Sequence, residues 1–164
     1  MKLHSLLLGL GSAVVLAACA QKPIEVPDTT AADTAAIHAL VDQFVSNWNG
    51  GNFAAMGPML ADDVILMQPV GPAISGRDAV LETVSKAYDG KFLQQTATVE
   101  EVVVNGDHAY ARGTWQHNPT AAAGADVKAA NGKWSVLYKR GADGGWQTWR
   151  WMWNQDAGPP IAGS

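Results

Sequence analysis

The chain has 164 residues, 11 basic against 15 acidic side chains, a formal net charge of −4 and 48% hydrophobic residues. That length fits one ordinary domain with room for a core. The acidic balance, without any basic stripe, argues against nucleic acid as a partner and against attraction to an anionic lipid surface. A lone cysteine, Cys19, excludes intrachain disulfides and thiolate metal sites.

The first nineteen residues form a processing signal. MKLH is a short charged start, LLLGLGSAVVL an apolar run too short to span a membrane, and LAAC a small-residue cleavage site. The stretch resembles a bacterial lipoprotein signal, which implies cleavage before Cys19 and lipidation of it. Residues 1–18 are thus expected to be a signal peptide, with the membrane touched through the N-terminal lipid alone. Ala20, in place of aspartate, points to the outer membrane if the source has one, and the expected location is the periplasmic side of the cell envelope. Without Lys2 the remainder carries 10 basic and 15 acidic residues, a net −5.

Residues 19–33, with AQKPIEVPDTTAAD, read as a tether rich in Pro, Thr and Ala. From an N-cap at Asp33 or Thr34, the apolar residues Ile37, Leu40, Val41, Phe44 and Trp48 recur at helical spacing, with His38 at the margin of the stripe. Asn49-Gly50-Gly51-Asn52 stops that helix. Asn52 can cap a second, short one through Leu60, broken or kinked at Gly57-Pro58. VILMQ, 64–68, is a strand candidate ending at Pro69. SGRD places Ser75 and Asp78 three apart, a capping arrangement for a helix that aligns Val80, Leu81, Val84 and Tyr88.

The period then changes from 3.6 to 2. TATVEEVVVNGDHAYARGTWQH holds Asn105-Gly106 between two β-rich runs, a hairpin signal that leaves His108 exposed in the turn. A small-residue loop leads to KWSVLYKR, the turn at residues 141–145 and a last strand, and residues 157–164 read as a loose tail. Helices first and antiparallel strands after them mean α+β.

The last strand poses the main question, because WQTWRWMWNQD puts four of the seven tryptophans into eight positions. Strand alternation places Trp149, Trp151 and Trp153 on one face, and Trp134, Val136 and Tyr138 together on the preceding strand. Each indole can bury roughly 150–250 Å², about 4–6 kcal/mol as an upper bound. Three left in water would forfeit a sum comparable to a whole domain's net stability, about 5–15 kcal/mol. That face is therefore covered, either as the filled core of a sheet or as the wall of an apolar cavity for a small molecule. Spacing is compatible with both.

In this order of elements, FVSNWNGGNFAAM, LADDVILMQPVGPAISGRDAV, VVVNGDHAYARGTW and WSVLYKRGADGGWQTWRWMWNQD resemble the SnoaL-like, nuclear-transport-factor-2-like superfamily. The relevant group is related to ketosteroid isomerase and to a kinase association domain. The resemblance covers residues 34–156. It implies a cystatin-like cone, a curved antiparallel sheet wrapped around N-terminal helices with a pocket between them. It does not fix a reaction. Ketosteroid isomerase uses an aspartate base with a tyrosine and a protonated aspartic acid as oxyanion hole; here those positions fall on Gln68, Phe44 and Val136, or Ser135 if the register slips by one. None can take over its role. Where the last strand of closer relatives often reads R-D-I-W-N, the acidic position is Trp151.

The expected ligand-binding set is accordingly Phe44, Trp48 and Gln68; Tyr110, Arg112 and Thr114; Trp134, Val136 and Tyr138; and Trp149, Trp151 and Trp153. Arg112 would read a carboxylate or stack on an indole, or else be a rim arginine paired with a surface acid. His117, ending the same strand near the mouth, is either a solvated strand end or a base. Asp62-Asp63 reads as a solvated helix terminus, and no cofactor or metal is expected. The leading expectation is a lipid-anchored domain that binds a small apolar or carboxylate-bearing molecule. The alternatives are a lyase, isomerase or hydrolase using His117 or an unrecognised acid, and a homodimeric interaction module.

Overall fold

The structure, a computed structural model, describes residues 30–88, 93–120 and 129–156. Cys19, the signal segment, most of the expected tether and the C-terminal tail lie outside the described residues. Among the described residues no helix is long and apolar enough to cross a membrane.

Helix α1 spans Thr30–Asn49, so the last four residues read as tether belong to its first turns. Asp33 is not its N-cap but a side chain only 6% exposed. Gly50 and Gly51 close the helix by donating to the carbonyls of Ser46 and Trp48, both at 3.0 Å. Gly51 has φ +64, a left-handed conformation that glycine adopts without steric cost. A 3-10 helix, Phe53–Met59, replaces the short helix expected there.

Strand β1, Leu60–Met67, begins four residues before the expected 64. Asp62 and Asp63 are therefore strand residues and do not terminate a helix. Both are exposed and ion-paired, Asp62 to Arg77 and Asp63 to Lys139, which leaves no carboxylate pair for acid–base work. After the two-residue strand β2, Ile74–Ser75, helix α2 runs Arg77–Tyr88. Ser75 pairs with Ile65 and does not cap α2; instead Gly76 accepts from the N–H of Val80 at 3.1 Å. Arg77 fastens α2 to β1 by donating twice to the Leu60 carbonyl, at 3.0 and 2.8 Å.

Four long strands follow: β3, Leu93–Asn105; β4, His108–Pro119; β5, Ala130–Arg140; and β6, Trp146–Trp153. The curved sheet has the order β2-β1-β6-β5-β4-β3, antiparallel throughout except that β1 runs parallel to β6. The expected hairpin forms, with Asn105 paired to His108 and Gly106 in the turn at φ +57. The 141–145 turn closes through the Gly141 N–H and the Gly145 carbonyl at 2.7 Å.

The apolar stripe of α1 faces the concave side of this sheet, and the interior divides into two clusters. Ile37 and Val41 pack with Ala109, Ala111, Trp115, Trp134, Val136, Tyr138 and Trp146. Trp48 packs with the 3-10 helix, β1 and α2 through Met56, Met59, Leu60, Val64, Leu66, Val80 and Val84. Leu40, Trp151 and Trp153 pack against both.

Candidate functional site

Two β-bulges decide which side chains enter the concave face. In β3, Val99 stands opposite Gly113 and Glu101 opposite Arg112, so Glu100 is the extra residue. The inward set changes there from Gln95, Ala97 and Val99 to Val102 and Val104. In β6, Arg150 stands opposite Leu137 and Thr148 opposite Tyr138, so Trp149 is extra. Trp151 and Trp153 turn inward; Trp149 does not, because a bulge breaks the alternation that would have grouped it with them.

Trp149 lies on the outer face. Its indole N–H donates to Asp63 Oδ2 at 3.0 Å, the Arg150 guanidinium lies 4.0 Å from the ring centroid, and the His108 ring is 5.5 Å away. Hydrogen bonding from Lys139 and then from Trp149 holds the Asp63 carboxyl below the usual carboxylate range.

Strand β4 has no such interruption, and its phase is the opposite of the one expected. Ala109, Ala111, Gly113 and Trp115 are buried, with His117 continuing the row, while Arg112 is exposed and Tyr110 and Thr114 share its outer face. Close packing selects this phase. A Cβ on Gly113 would lie 1.7 Å from the Thr98 carbonyl oxygen and 3.0 Å from Trp134 Cζ2. Small residues are thus required where the Trp134 indole crosses the strand, and the long polar chains take the other side. Arg112 donates to Glu100 and Glu101, at 2.7 Å each, and the Glu101 hydrogen bond raises its pKa further. It is the surface-paired arginine of the two readings and takes no part in the concave face.

The concave face holds a half-open cavity of about 250 Å³ at the seam between the two core clusters. Eight of the twelve expected residues line it: Phe44, Trp48, Gln68, Trp134, Val136, Tyr138, Trp151 and Trp153. Tyr110, Arg112, Thr114 and Trp149 do not. Edge-on aromatic contacts help to leave the space open. The rings of Phe44 and Trp151 meet at 84° with centroids 5.1 Å apart, and those of Trp115 and Trp153 at 86° and 5.6 Å. The indoles therefore both wall the cavity and fill part of the cone.

Sequence reasoning missed Gln95 and Trp115, which also line the cavity, as does His117, the residue read as either a base or a solvated strand end. A signal for β4 was available: Ala109, Ala111, Gly113 and Trp115 form an alternating row of small and aromatic residues. Among the described residues, no Asp, Glu, Lys or Arg lines the cavity. The indole N–H groups of Trp115 and Trp134 donate to backbone carbonyls, of Asn154 at 3.0 Å and Thr114 at 3.1 Å, and so serve the fold. Burial pushes the Tyr138 phenol well above its ordinary range, leaving it protonated.

The polar wall is built around His117. Its Nε2 lies 3.1 Å from Gln95 Oε1, its ring stacks on Trp48 at 5.2 Å and 16°, and the tilted Trp115 ring is 4.9 Å away. Asn49, the last residue of α1, fixes Gln95: its Nδ2 donates to the Gln95 carbonyl at 2.9 Å and its Oδ1 accepts from the Gln95 N–H at 2.7 Å. His117 is thus neither a solvated strand end nor a lone imidazole. Phe44, Gln68 and Val136, at the positions that carry isomerase chemistry in the resembled enzyme, all line the cavity without an ionisable group among them. Among the described residues, no three His, Cys, Asp or Glu side chains converge as metal ligands.

Comparison with known proteins agrees with this architecture. Solved structures with the same fold include a ketosteroid isomerase-like protein from Erwinia carotovora atroseptica, 23% identical, covering 81% of this chain and 100% of its own at TM-score 0.63. A nuclear transport factor 2-like superfamily protein from Salmonella enterica is 14% identical and covers 82% and 99% at TM-score 0.66. A domain of unknown function with a cystatin-like fold from Nostoc punctiforme is 19% identical and covers 79% and 81% at TM-score 0.67. At these identities the likeness extends to fold alone. No curated protein matches the chain in sequence. The model of the SnoaL-like domain matches residues 41–153, from the middle of α1 to the end of β6 and around the cavity apart from Leu40 and Gln155, and the chain belongs to that family.

Proposed function

We propose that this chain is a lipid-anchored SnoaL-like domain of the cell envelope that binds a small, largely apolar molecule between α1 and the concave face of its sheet. One observation carries the binding reading: the seam between two well-packed clusters holds a largely apolar cavity walled by Phe44, Trp151 and Trp153. Binding cavities are concave, mostly apolar and furnished with a few placed polar groups, in a volume of roughly 300–1,000 Å³. This one lies just below that range and suits a compact guest. A carboxylate is no longer part of the reading, because the arginine that would have read it faces the other way. The LAAC site supports the anchor.

The test uses the chain begun at Gln21, which contains every described element. Titration with small hydrocarbons should shift its tryptophan emission and raise its Tm. Ala87→Trp, at an exposed α2 position that lines the cavity, should block both effects while leaving the unliganded Tm within a few degrees. Emission that stays flat with every hydrocarbon refutes the binding reading.

A second reading has its own support. Val103, Leu137 and Met152 are 51%, 41% and 49% exposed on the outer face of the sheet, and pairing of two copies there would cover them. Light scattering of the soluble form tests it.

A further inference from the structure

We propose that the Tyr138 hydroxyl is a hydrogen-bond donor to the ligand, and that the ligand is a compact hydrocarbon body carrying an acceptor oxygen, a carbonyl or an ether. This rests on the cavity reading above. Tyr138 stands on β5 between Ala109 of β4 and Thr148 of β6, and it lines the cavity. The residue is 3% exposed, and its ring packs in the cluster of Ile37, Val41, Ala109 and Trp146, which fixes where the hydroxyl stands. Burial alone acts on the phenol, and the hydroxyl makes no hydrogen bond to a described residue. Its oxygen is nevertheless not sealed away from open space. The little surface that Tyr138 keeps therefore includes its hydroxyl, and the space it borders is the cavity.

A buried hydroxyl without a partner costs the fold free energy, and a phenylalanine would fill the same place without that cost. Other polar groups at the wall are served already. The indoles of Trp115 and Trp134 donate to backbone carbonyls, while Gln68 and Thr148 are half-buried and within reach of water. The phenol differs, because only a molecule inside the cavity can satisfy it. Its raised pKa keeps the proton in place, so the group donates and does not transfer its proton. Next along the inner face of β5 is Val136, whose cross-strand partner on β6 is Trp151, and both line the cavity. An acceptor oxygen placed at Tyr138 thus leaves its hydrocarbon body against apolar wall.

Two probes of matched shape test this by titration calorimetry on the chain begun at Gln21: 1-indanone and 1-methyleneindane, which differ only in C=O against C=CH2. Tyr138→Phe should weaken 1-indanone about threefold to tenfold, the worth of one net hydrogen bond, and hold 1-methyleneindane within about twofold. Tyr110→Phe, on the outer face, should change neither. Infrared spectroscopy supplies a readout that needs no variant. The carbonyl band of 1-indanone bound to the wild type should lie at lower frequency than in cyclohexane, because a donated hydrogen bond weakens C=O, and Tyr138→Phe should move it back up. The unliganded Tm of Tyr138→Phe should equal or exceed that of the wild type, since no hydrogen bond within the protein is lost.

An affinity ratio of the two probes that is the same in wild type and Tyr138→Phe overturns the donor assignment while the cavity stands. So does a carbonyl band in the wild type at its cyclohexane position, or binding of 1-methyleneindane without binding of 1-indanone. A lower unliganded Tm in Tyr138→Phe overturns it as well, by showing that the hydroxyl already serves the fold. Failure of both probes to bind the wild type overturns the cavity reading and this proposal with it.

Discussion

Removing the carboxylate of Asp33 separates two accounts of how the N-terminal end of the domain is held. As a helix cap it would be worth about 1 kcal/mol. In the structure it is a buried anchor. Its Oδ2 accepts from Arg140 Nη2 at 2.7 Å and its Oδ1 from the Trp146 indole at 3.1 Å, while the Arg140 guanidinium lies 4.3 Å from the Trp146 ring centroid. Breaking a buried ion pair costs about 3–5 kcal/mol. The lower end applies, because the Arg140 side chain is 25% exposed and keeps Asp107 and the Gly144 carbonyl as partners. Asp33→Ala should therefore lose about 3 kcal/mol in urea unfolding followed by tryptophan emission, and about 6–12 °C in Tm. Asp33→Asn keeps an acceptor for Trp146 and should lose about half as much, roughly 1.5 kcal/mol, since the neutral hydrogen bond survives. A chain begun at Thr34 should show the full loss. If Asp33→Ala loses no more than about 1 kcal/mol, the anchor account is wrong.

Asp63 gives a pH-dependent case. Its folded pKa is depressed, mainly by Lys139, so its stabilisation is complete above the unperturbed carboxylate value, about 3.9, and is lost as pH falls through the lower folded value. The Tm gap between wild type and Asp63→Asn should be constant from about pH 5 to 7 and close below about pH 4; a gap that widens on acidification contradicts the sign. In hydrocarbon titrations the emission change should shrink in Trp151→Phe, one of five lining indoles, and be unaltered in Trp149→Phe, and the reverse pattern would place the wrong indole at the cavity. Gly113→Ala, whose Cβ would meet the Thr98 oxygen at 1.7 Å, should cost about 3 kcal/mol or more in urea unfolding, and a loss under about 1 kcal/mol would mean that β3 yields easily there.

Periodicity was enough to read the elements from the sequence, because apolar spacing reports burial directly. The α1 stripe of Ile37, Leu40, Val41, Phe44 and Trp48, the Asn105-Gly106 hairpin and the order of helices before strands all follow from it. Element starts were less legible where tertiary contacts extend them. Thr30–Ala32 read as tether because no large apolar residue marks them, yet Asp33 is drawn inward by Arg140 and Trp146, across more than a hundred residues of chain. Leu60–Asp63 read as a helix end because two adjacent aspartates suit one, whereas Arg77 holds the strand there through the Leu60 carbonyl.

The candidate site depended on a different quantity, the phase of each strand. A period of 2 states which residues travel together and leaves open which set faces the core. On β5 the contrast between Trp134, Val136, Tyr138 and Lys133, Leu137, Lys139 settles the phase by bulk and charge. On β4 both sets carry an aromatic residue, and the inward one is decided by a constraint that exists only across strands, the room that Gly113 and Gly132 leave for the indoles of Trp134 and Trp115. Bulges at Glu100 and Trp149 then reset the phase within β3 and β6. One step along β4 was therefore sufficient to exchange Arg112, which binds two glutamates on the outer face, with His117, which faces Gln95 at the cavity wall. The same step removes the ground for expecting an anionic guest, because the arginine that would have read a carboxylate is engaged by Glu100 and Glu101 on the outer face.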